Sequence, residues 1–362
     1  MTETRKYAIV GCGMMGREHM RNLALVEGAQ LVAVADPHEP SRDAAFLLAG
    51  ELKQTITCFD NIAELMESTR PDAVIVAAPN HTHFEIAQQL MQCEVAILLE
   101  KPMCTTVQDA KNLARLQSKY EPLFWVGLEY RYMPPVTRFV ERVQSGEAGK
   151  VKMLSIREHR FPFLVKVGDW NRFSRNTGGT LVEKCCHFFD LMRHILQDEP
   201  VRVYASGGQD ANHLDETYDG ERSDILDNAY VIVDFAGGAR ATLDLCMFAE
   251  GSEQQEEIYA LGDVGKLEVK IPAAEITWSP RDKSGTVIEA VDTPADALAA
   301  GDHHGATWFQ LKHFHQALVT GDKPFVGSLD GLRSVQMGAA AHESIESGLP
   351  VCLDFTNQTG KT

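Results

Sequence analysis

The feature that most constrains the fold is an alternation, over the first 127 residues, of short apolar runs with amphipathic segments of helical length. The apolar runs are bounded by turn or charged residues and occupy 6–10, 29–35, 73–77, 95–99 and 123–127. The segments between them carry apolar residues at helical spacing and occupy 16–26, 41–52, 61–67, 84–92 and 107–120. This order is typical of β-α-β units around a parallel sheet that is buried on both faces. Residues 1–127 are therefore predicted to form an α/β domain.

After residue 127 the apolar period changes to two. Apolar and polar residues alternate in five segments, 151–160, 201–207, 229–235, 239–247 and 256–261. Such alternation favours an antiparallel sheet with one face solvated or covered by a partner. Ala236-Gly237-Gly238 is a hairpin turn signal, and the polar stretch 209–227 is predicted to be a surface loop. A chain of 362 residues is longer than one hydrophobic core usually organises. Residues 128–362 are therefore predicted to form a second, α+β domain with a mostly antiparallel open sheet.

A glycine-rich turn follows the first predicted strand and opens the first predicted helix. Its sequence is Gly11-Cys12-Gly13-Met14-Met15-Gly16, which matches G-x-G-x-x-G. The glycines allow a tight turn, close approach of the backbone to a pyrophosphate and close packing of helix on strand. Asp36 ends the second strand, about 20 residues later, where a carboxylate binds the adenosine ribose and repels a 2′-phosphate. The N-terminal domain is thus predicted to be a Rossmann domain that binds NAD, with Arg42 leaving NADP as the disfavoured alternative.

The charge of the chain excludes several classes of partner. The formal net charge is −17, with acidic residues scattered throughout, so nucleic acid and anionic membranes are not expected as partners. There is no apolar core of signal-peptide length at the N-terminus and no apolar stretch of bilayer length. Eight cysteines are too few for a disulfide scaffold in 362 residues. A cytoplasmic protein is expected.

Two segments carry charge in otherwise apolar surroundings. In Glu100-Lys101-Pro102, Lys101 follows a buried parallel strand, at the edge of the sheet where ligands bind in open α/β folds. The second segment is 178–190, in which a helix is predicted to begin after Gly178-Gly179. Helical spacing then places four polar residues on one face of that helix, Glu183, His187, Asp190 and His194.

With these segments the chain resembles the Gfo/Idh/MocA family, named for glucose-fructose oxidoreductase and inositol dehydrogenase. The resemblance covers nearly the whole sequence. It rests on the glycine-rich turn, Pro79-Asn80-His81-Thr82-His83, Glu100-Lys101-Pro102, segment 178–190, and the C-terminal segments 331–335 and 347–351.

The resemblance implies roles for particular residues. Lys101 and His187 fall on the family's catalytic lysine and histidine, and His83 falls near the nicotinamide side of the cofactor pocket. Where the family usually has Asp four residues before the histidine, this chain has Glu183, which is one methylene longer. The predicted cofactor-binding residues are Gly11, Gly13, Met14, Met15, Gly16, Asp36, Pro79, Asn80, His83, Glu100 and Lys101.

The implied chemistry is oxidation of a hydroxyl on a sugar, inositol or related polyol. A neutral His187 would take the hydroxyl proton while hydride leaves the same carbon, and Lys101 would stabilise the developing alkoxide. Glu183 would orient either group. Aromatic faces and polar tips suit a polyol pocket, for which the candidates are Tyr130, Arg131, Trp170, Asn171, Arg172 and the segment Asp302-His303-His304.

Two alternatives to a metal-free dehydrogenase are considered, a cofactor-binding sensor and a metal-dependent enzyme, and self-association is predicted. A cofactor-binding sensor without turnover would share the fold but would not need both Lys101 and His187. A metal site is not predicted, because Cys185, Cys186 and His187 are consecutive on a helix and project about 100 degrees apart. The open sheet, together with the resemblance, predicts a homodimer or homotetramer.

Overall fold

In the computed structural model the described residues are 4–301 and 303–355, so Asp302 of the predicted pocket lies outside them. The chain divides into two compact units. The first unit comprises Met1–Met133, Lys166–Trp170 and Thr293–Val335, and the second comprises Pro134–Val165, Asn171–Asp292 and Gln336–Thr362. The division of the sequence into domains 1–127 and 128–362 stays a prediction.

The first unit is built on a parallel sheet with strand order β3-β2-β1-β4-β5-β6. Its strands are β1 Arg5–Val10, β2 Ala29–Ala35, β3 Thr57–Phe59, β4 Ala73–Val76, β5 Ala96–Glu100 and β6 Phe124–Gly127. Every residue of β4, β5 and β6 is buried, as expected for strands covered on both faces. The predicted Rossmann sheet is confirmed. The sequence did not indicate β3, whose three residues are too few to show a period.

The helices of this parallel sheet begin close to where the spacing predicts. They are α1 Met14–Leu23, α2 Glu39–Glu51, α3 Ile62–Thr69, α4 His83–Met91 and α5 Val107–Gln117. Two of them are capped by side chains: Asn61 accepts from the Glu64 N–H at 2.9 Å, and Thr106 accepts from the Asp109 N–H at 3.1 Å. These caps fix where α3 and α5 begin.

The second unit contains a mixed sheet with strand order β16-β15-β14-β13-β7-β12-β11-β8-β17. Its strands are β7 Val151–His159, β8 Pro200–Gly208, β11 Asn228–Phe235, β12 Arg240–Cys246, β13 Glu256–Gly262, β14 Gly265–Ile271, β15 Glu275–Pro280, β16 Val287–Ala290 and β17 Val351–Cys352. Neighbouring strands are antiparallel except for the central pair β7 and β12. The mostly antiparallel open sheet is thus confirmed, as is the hairpin turn between β11 and β12.

The stretch 209–227, predicted as a loop, contains a small hairpin of β9 Thr217–Tyr218 and β10 Glu221–Arg222. Within the stretch, Asp227 accepts backbone N–H bonds from Asp210, Ala211 and Asn212 at 2.7 to 3.1 Å. The Asp227 carboxylate therefore holds the loop's first turn in place.

The helices of the second unit include α6 Pro134–Gln144, α7 Ser174–Thr177, α8 Thr180–Glu183 and α9 Cys186–Leu196. The helix predicted after Gly179 is therefore not continuous but consists of α8 and α9. Around the break, the Cys185 N–H reaches the Thr180 carbonyl at 3.4 Å, and the Phe188 N–H bonds to the Cys185 carbonyl at 3.0 Å. The first of these hydrogen bonds spans five residues and the second spans three, instead of the four of an α-helix, and this change of spacing interrupts the helix.

The C-terminal part of the chain is helical. It forms α10 Ala295–Ala300, α11 Ala306–Thr320 and α12 Ser328–Ser347. Helix α11 packs into the first unit, where His315 Nδ1 lies 2.9 Å from the Tyr7 hydroxyl of β1. Over residues 4–301 and 303–355, no helix combines the length and apolarity needed to cross a membrane.

Candidate active site

The turn between β1 and α1 has the shape of a phosphate-binding loop. Gly11 has φ +95, and a Cβ placed on it would lie 2.5 Å from the Ala77 carbonyl oxygen. A Cβ on Gly16 would lie 1.9 Å from the Gly11 carbonyl oxygen, so both positions require glycine. In front of Gly13, by contrast, there is no atom within 4 Å of where a Cβ would stand among the described residues. Gly13 caps α1 without a side-chain bond, leaving helix N–H groups directed at that space.

Asp36 lies directly after β2 and is fixed against the glycine-rich turn. One carboxylate oxygen accepts from the Cys12 N–H at 2.7 Å and the other from the His38 N–H at 2.8 Å. Arg42 donates to the carbonyl oxygens of Asp36 at 2.7 Å and Pro37 at 3.1 Å. Its guanidinium is thus engaged with backbone carbonyls beside the predicted ribose site. The open space at Gly13, the exposed Met14, the half-buried Met15 and the acidic Asp36 fit NAD.

The loop after β4 carries Pro79, Asn80 and His83. Asn80 is buried, and its Nδ2 atom has no hydrogen-bond partner among the described residues. The ring nitrogens of His83 lie 2.8 Å from the Pro102 carbonyl and 3.0 Å from the Ala78 carbonyl. Burial lowers the pKa of His83 against the opposing effect of the two carbonyls, and a neutral ring would donate to only one of them. His83 therefore ties together the loops that follow β4 and β5, and its place beside the nicotinamide stays a prediction.

The carboxyl end of β5 carries a buried ion pair next to the predicted catalytic lysine. Glu100 Oε1 lies 2.7 Å from His19 Nε2, and Glu100 Oε2 accepts from the Lys101 N–H at 3.1 Å. Burial by itself would raise the pKa of Glu100, but the bond from His19 and the positive charges of His19 and Lys101 together hold that pKa below its usual range. Burial would lower the pKa of His19, but the bond to Glu100 and the nearby negative charge, above all that of Glu100, together raise it. Glu100 is thereby held as a carboxylate that fixes the backbone of the half-buried Lys101.

The second unit holds Glu183 and His187, which are both buried. Between them, Lys184 places Nζ 2.8 Å from Oε1 of the fully buried Glu158 on β7. This ion pair anchors the break between α8 and α9 to the sheet. Lys184 therefore has a structural partner in the sheet, and the roles of Glu183 and His187 stay predictions.

Helix α12 sets the position of the segment that carries Glu183. The Leu181 N–H donates to Nε2 of His342 at 3.1 Å. A Cβ on Gly179 would lie 2.4 Å from that nitrogen, and a Cβ on Gly338 would lie 2.5 Å from the Leu181 carbonyl oxygen. Burial lowers the pKa of His342 to about 4, so the ring stays neutral and able to accept. Sequence reasoning missed His342, although Gly338 and His342 stand four residues apart on one helix face and could have indicated a close contact.

The predicted substrate residues divide between the two units. Tyr130, Arg131, Trp170 and His304 belong to the first unit, and Asn171 and Arg172 belong to the second.

Both arginines of this set are buried and bonded to protein groups. Arg131 lies 3.0 Å from the Asp330 carboxylate, and Arg172 donates to the Tyr218 hydroxyl at 3.1 Å. Their contact with a substrate stays a prediction.

Trp170 meets His81 edge to face, with ring centroids 6.2 Å apart. His304 is half-buried and has a left-handed backbone, with φ +52.

The predicted cofactor residues of the first unit, with Tyr130 and Arg131, lie at or just beyond the carboxyl ends of β1, β2, β4, β5 and β6, at one edge of the sheet. Lys101 lies in this unit and His187 in the other, so their joint action on one substrate stays a prediction. No set of three His, Cys, Asp or Glu side chains within the described ranges is arranged to hold a metal ion.

Comparison with known proteins matches both parts of the chain to one family. Residues 5–128 match the oxidoreductase family with an NAD-binding Rossmann fold, and residues 140–353 match the C-terminal alpha/beta domain of the same family.

Among similar proteins, a scyllo-inositol 2-dehydrogenase (NAD(+)) of Bacillus subtilis is 25% identical over 96% of each chain. A myo-inositol 2-dehydrogenase of Thermotoga maritima is 25% identical over 96% of this chain and 98% of its own. An oxidoreductase from Agrobacterium radiobacter, solved with NAD+, L-tartaric acid and magnesium, has the same fold, with a TM-score of 0.81 and 18% identity over 96% of this chain and 98% of its own. The chain belongs to the Gfo/Idh/MocA oxidoreductase family, whose N-terminal domain is an NAD-binding Rossmann domain.

Proposed function

We propose that the protein is an NAD-dependent dehydrogenase that oxidises a secondary hydroxyl of an inositol, sugar or related polyol. The proposal rests mainly on the glycine-rich turn between β1 and α1, called the dinucleotide loop below. It has open space at Gly13, no room for a side chain at Gly11 or Gly16, and the fixed carboxylate of Asp36 beside it. The substrate class is supported by the two inositol dehydrogenases that align with this chain over nearly their whole lengths.

Bound NAD supplies the hydride acceptor. The remaining chemistry belongs to side chains of the protein. His187 takes the proton of the substrate hydroxyl, and Lys101 donates a hydrogen bond to the same oxygen as negative charge develops there. Glu183 orients this pair. Glu100, which is bonded to His19, fixes the backbone at Lys101, so that the lysine starts from a defined position.

The assembly proposed for the protein is a homodimer or homotetramer formed through the second sheet. On β8 and β11, Ala205, Val231 and Val233 are buried, whereas Tyr204, Tyr230 and Ile232 on the opposite face are 41%, 68% and 45% exposed. Large apolar side chains that remain exposed on a regular sheet are typical of an interface.

The cytoplasm is proposed as its compartment. The eight cysteines all lie among the described residues and none is bridged, which suits a reducing environment.

The test is a panel of inositols, aldoses and other polyols assayed with NAD, and of the corresponding ketones with NADH, followed at the absorbance band of reduced nicotinamide. We expect turnover of at least one polyol, and loss of that turnover in His187→Ala. Binding of NAD by calorimetry without turnover of any compound would contradict the proposal and favour the sensor.

A further inference from the structure

A buried chain of hydrogen-bonding groups runs through the first unit, beside the loop that carries Lys101. It consists of Glu129 in the 3-10 turn Glu129–Tyr132 after β6, Thr307 and His303 near the start of α11, and Glu18 on α1. Glu129 is fully buried, Thr307 and Glu18 are 2% and 5% exposed, and the His303 side chain is 27% exposed. The chain therefore leads from the interior toward solvent and ends at an imidazole.

The contacts within this chain require an additional proton. The Thr307 hydroxyl lies 2.6 Å from Glu129 Oε2 and 2.9 Å from Glu18 Oε1. A hydroxyl has a single proton and can donate to only one of these oxygens. The other contact is a hydrogen bond only if the carboxyl group itself donates, so one of the two glutamates carries a proton.

The partners of the two carboxyl groups identify which one it is. Glu18 Oε1 receives a second bond from His303 Nδ1 at 2.8 Å, which stabilises its ionised form. Burial alone would raise the pKa of Glu18, but the bonds from His303 and Thr307 and the positive charges of His303 and His19 together hold it below its usual range. Glu129 approaches His303 Nε2 only at 3.7 Å, beyond hydrogen-bond distance. Glu129 is therefore the group that donates to Thr307.

The charges around Glu129 favour the same assignment. Burial raises the pKa of Glu129, and the nearby carboxylates of Glu100 and Glu18 raise it further, against the opposing effects of His303 and Thr307. The charge of Glu100 is already paired with His19, which is bonded to it at 2.7 Å. An ionised Glu129 would add a further carboxylate to this buried cluster with no cation among the described residues within hydrogen-bond distance, which would be costly.

We propose that Glu129 carries a proton at neutral pH and that Glu129, Thr307, Glu18 and His303 form the path by which the dehydrogenase proposed above exchanges a proton with solvent. Oxidation of a hydroxyl breaks a C–H bond, whose hydride goes to NAD, and an O–H bond, whose proton goes to the base. A C=O bond forms, and the proton must then leave the protein. Glu129 lies two residues beyond Gly127, which pairs with Glu100, the neighbour of Lys101.

Thr307 can pass a proton by accepting from Glu129 while it donates to Glu18. Glu18 in turn is bonded to His303 at the partly exposed end. Thr307 and Glu18 therefore each have one partner toward Glu129 and one toward the partly exposed His303.

The proton on Glu129 is tested without substrate, by infrared spectroscopy of the full chain at pH 7. We expect a carboxylic-acid C=O stretching band in the wild type, its loss in Glu129→Gln, and its retention in Glu67→Gln, which changes an exposed glutamate of α3. A wild type without the band, or a Glu129→Gln variant that keeps it, would overturn the assignment. Because glutamine reproduces the shape and donor of the protonated acid, Glu129→Gln should fold.

The path is tested by comparing NADH formation with proton release, followed by a pH indicator in weak buffer during the first turnover. Thr307→Val should delay proton release by at least about tenfold relative to NADH formation, and Thr307→Ser should restore it. His303→Ala should show the same delay, relieved by added imidazole. A Thr307→Val variant that releases the proton as fast as it forms NADH would overturn the path. A wild type that retains the infrared band but forms no NADH from any polyol would instead overturn the proposed function.

Discussion

At the scale of single residues, Asp36 and Gly13 have different roles in the proposed cofactor site. Gly13 contributes space and helix N–H groups, which recognise a phosphate through its charge. Asp36 contributes a carboxylate whose oxygens already accept from Cys12 and His38, so it is held in place before any ligand arrives. Preorganisation of this kind reduces the entropy lost on binding.

We expect the wild type to bind NAD more tightly than NADP, because the Asp36 carboxylate accepts from ribose hydroxyls and repels a 2′-phosphate. Asp36→Ser should weaken NAD binding by about tenfold to a hundredfold and narrow the gap between the two cofactors. Isothermal titration calorimetry measures both affinities. Asp43→Ser, which removes an exposed carboxylate from α2, is the matched control and should change neither. Equal affinities of the wild type for NAD and NADP would contradict the role of Asp36.

The proposed base gives a second prediction at this scale. His187→Ala should lower kcat by about a hundredfold to ten-thousandfold. NAD affinity should be unchanged, because the dinucleotide loop belongs to the other unit. Lys101→Met should also lower kcat far more than it weakens the binding of NAD.

The loss of kcat in a Glu183 variant, compared with that in His187→Ala, distinguishes the two roles considered for Glu183. Glu183→Gln should lower kcat less than His187→Ala if Glu183 orients its neighbours, and equally if it carries the proton. Turnover of an accepted polyol as a function of pH checks both variants. A His187→Ala enzyme with a normal rate and pH profile would show that another group is the base.

At the scale of elements, the short helix α8 depends on α12. Four residues form too few hydrogen bonds to be stable alone, and the His342 ring supplies an acceptor at the start of α8. Since Glu183 ends α8 and His187 lies in the first turn of α9, this contact sets the position of both.

The low pKa of His342 predicts how stability depends on pH. A folded-state pKa of about 4, against about 6.5 in the unfolded chain, means that the unfolded state binds the proton first as the pH falls. The stabilisation by neutral His342 is complete above pH 6.5 and is lost progressively between about pH 6.5 and 4, by about 3 kcal/mol. Chemical denaturation at a series of pH values should show this slope, and His342→Gln, which cannot titrate, should flatten it. An equal slope in the variant would rule out His342 as its source.

Local sequence patterns predicted the strands, helices and turns that depend only on residues close together in the sequence. The strands on either side of the glycine-rich turn, the loop itself and the position of Asp36 all follow from residues within one β-α-β unit. The break between α8 and α9 was missed because both halves are helical and the spacing continues through Cys185. Contacts between distant segments left no periodic signal, as with His342 and Leu181, 161 residues apart, or Thr307 and Glu129, 178 residues apart.

At the scale of the whole molecule, the open face of the second sheet predicts self-association. We expect light scattering at micromolar concentration to give the mass of a dimer or tetramer. Ile232→Glu and Tyr230→Glu should lower that mass, because each places a charge in the exposed apolar patch. Leu47→Glu, at an exposed position of α2 in the first unit, is the matched control and should leave the mass unchanged. A monomeric wild type would contradict the proposed assembly.

The discontinuity of the first unit has a consequence for biosynthesis. Its parallel sheet is finished once β6 has been made, yet α11, which covers Tyr7 and Glu18, lies near the end of the chain. During translation β1 and α1 therefore stay partly uncovered until β7 to β16 of the second sheet have emerged from the ribosome. Apolar surface left exposed for that time is what chaperones bind and what aggregates when they are scarce. A chain that is truncated before residue 306 lacks α11, the helix that covers its own first strand.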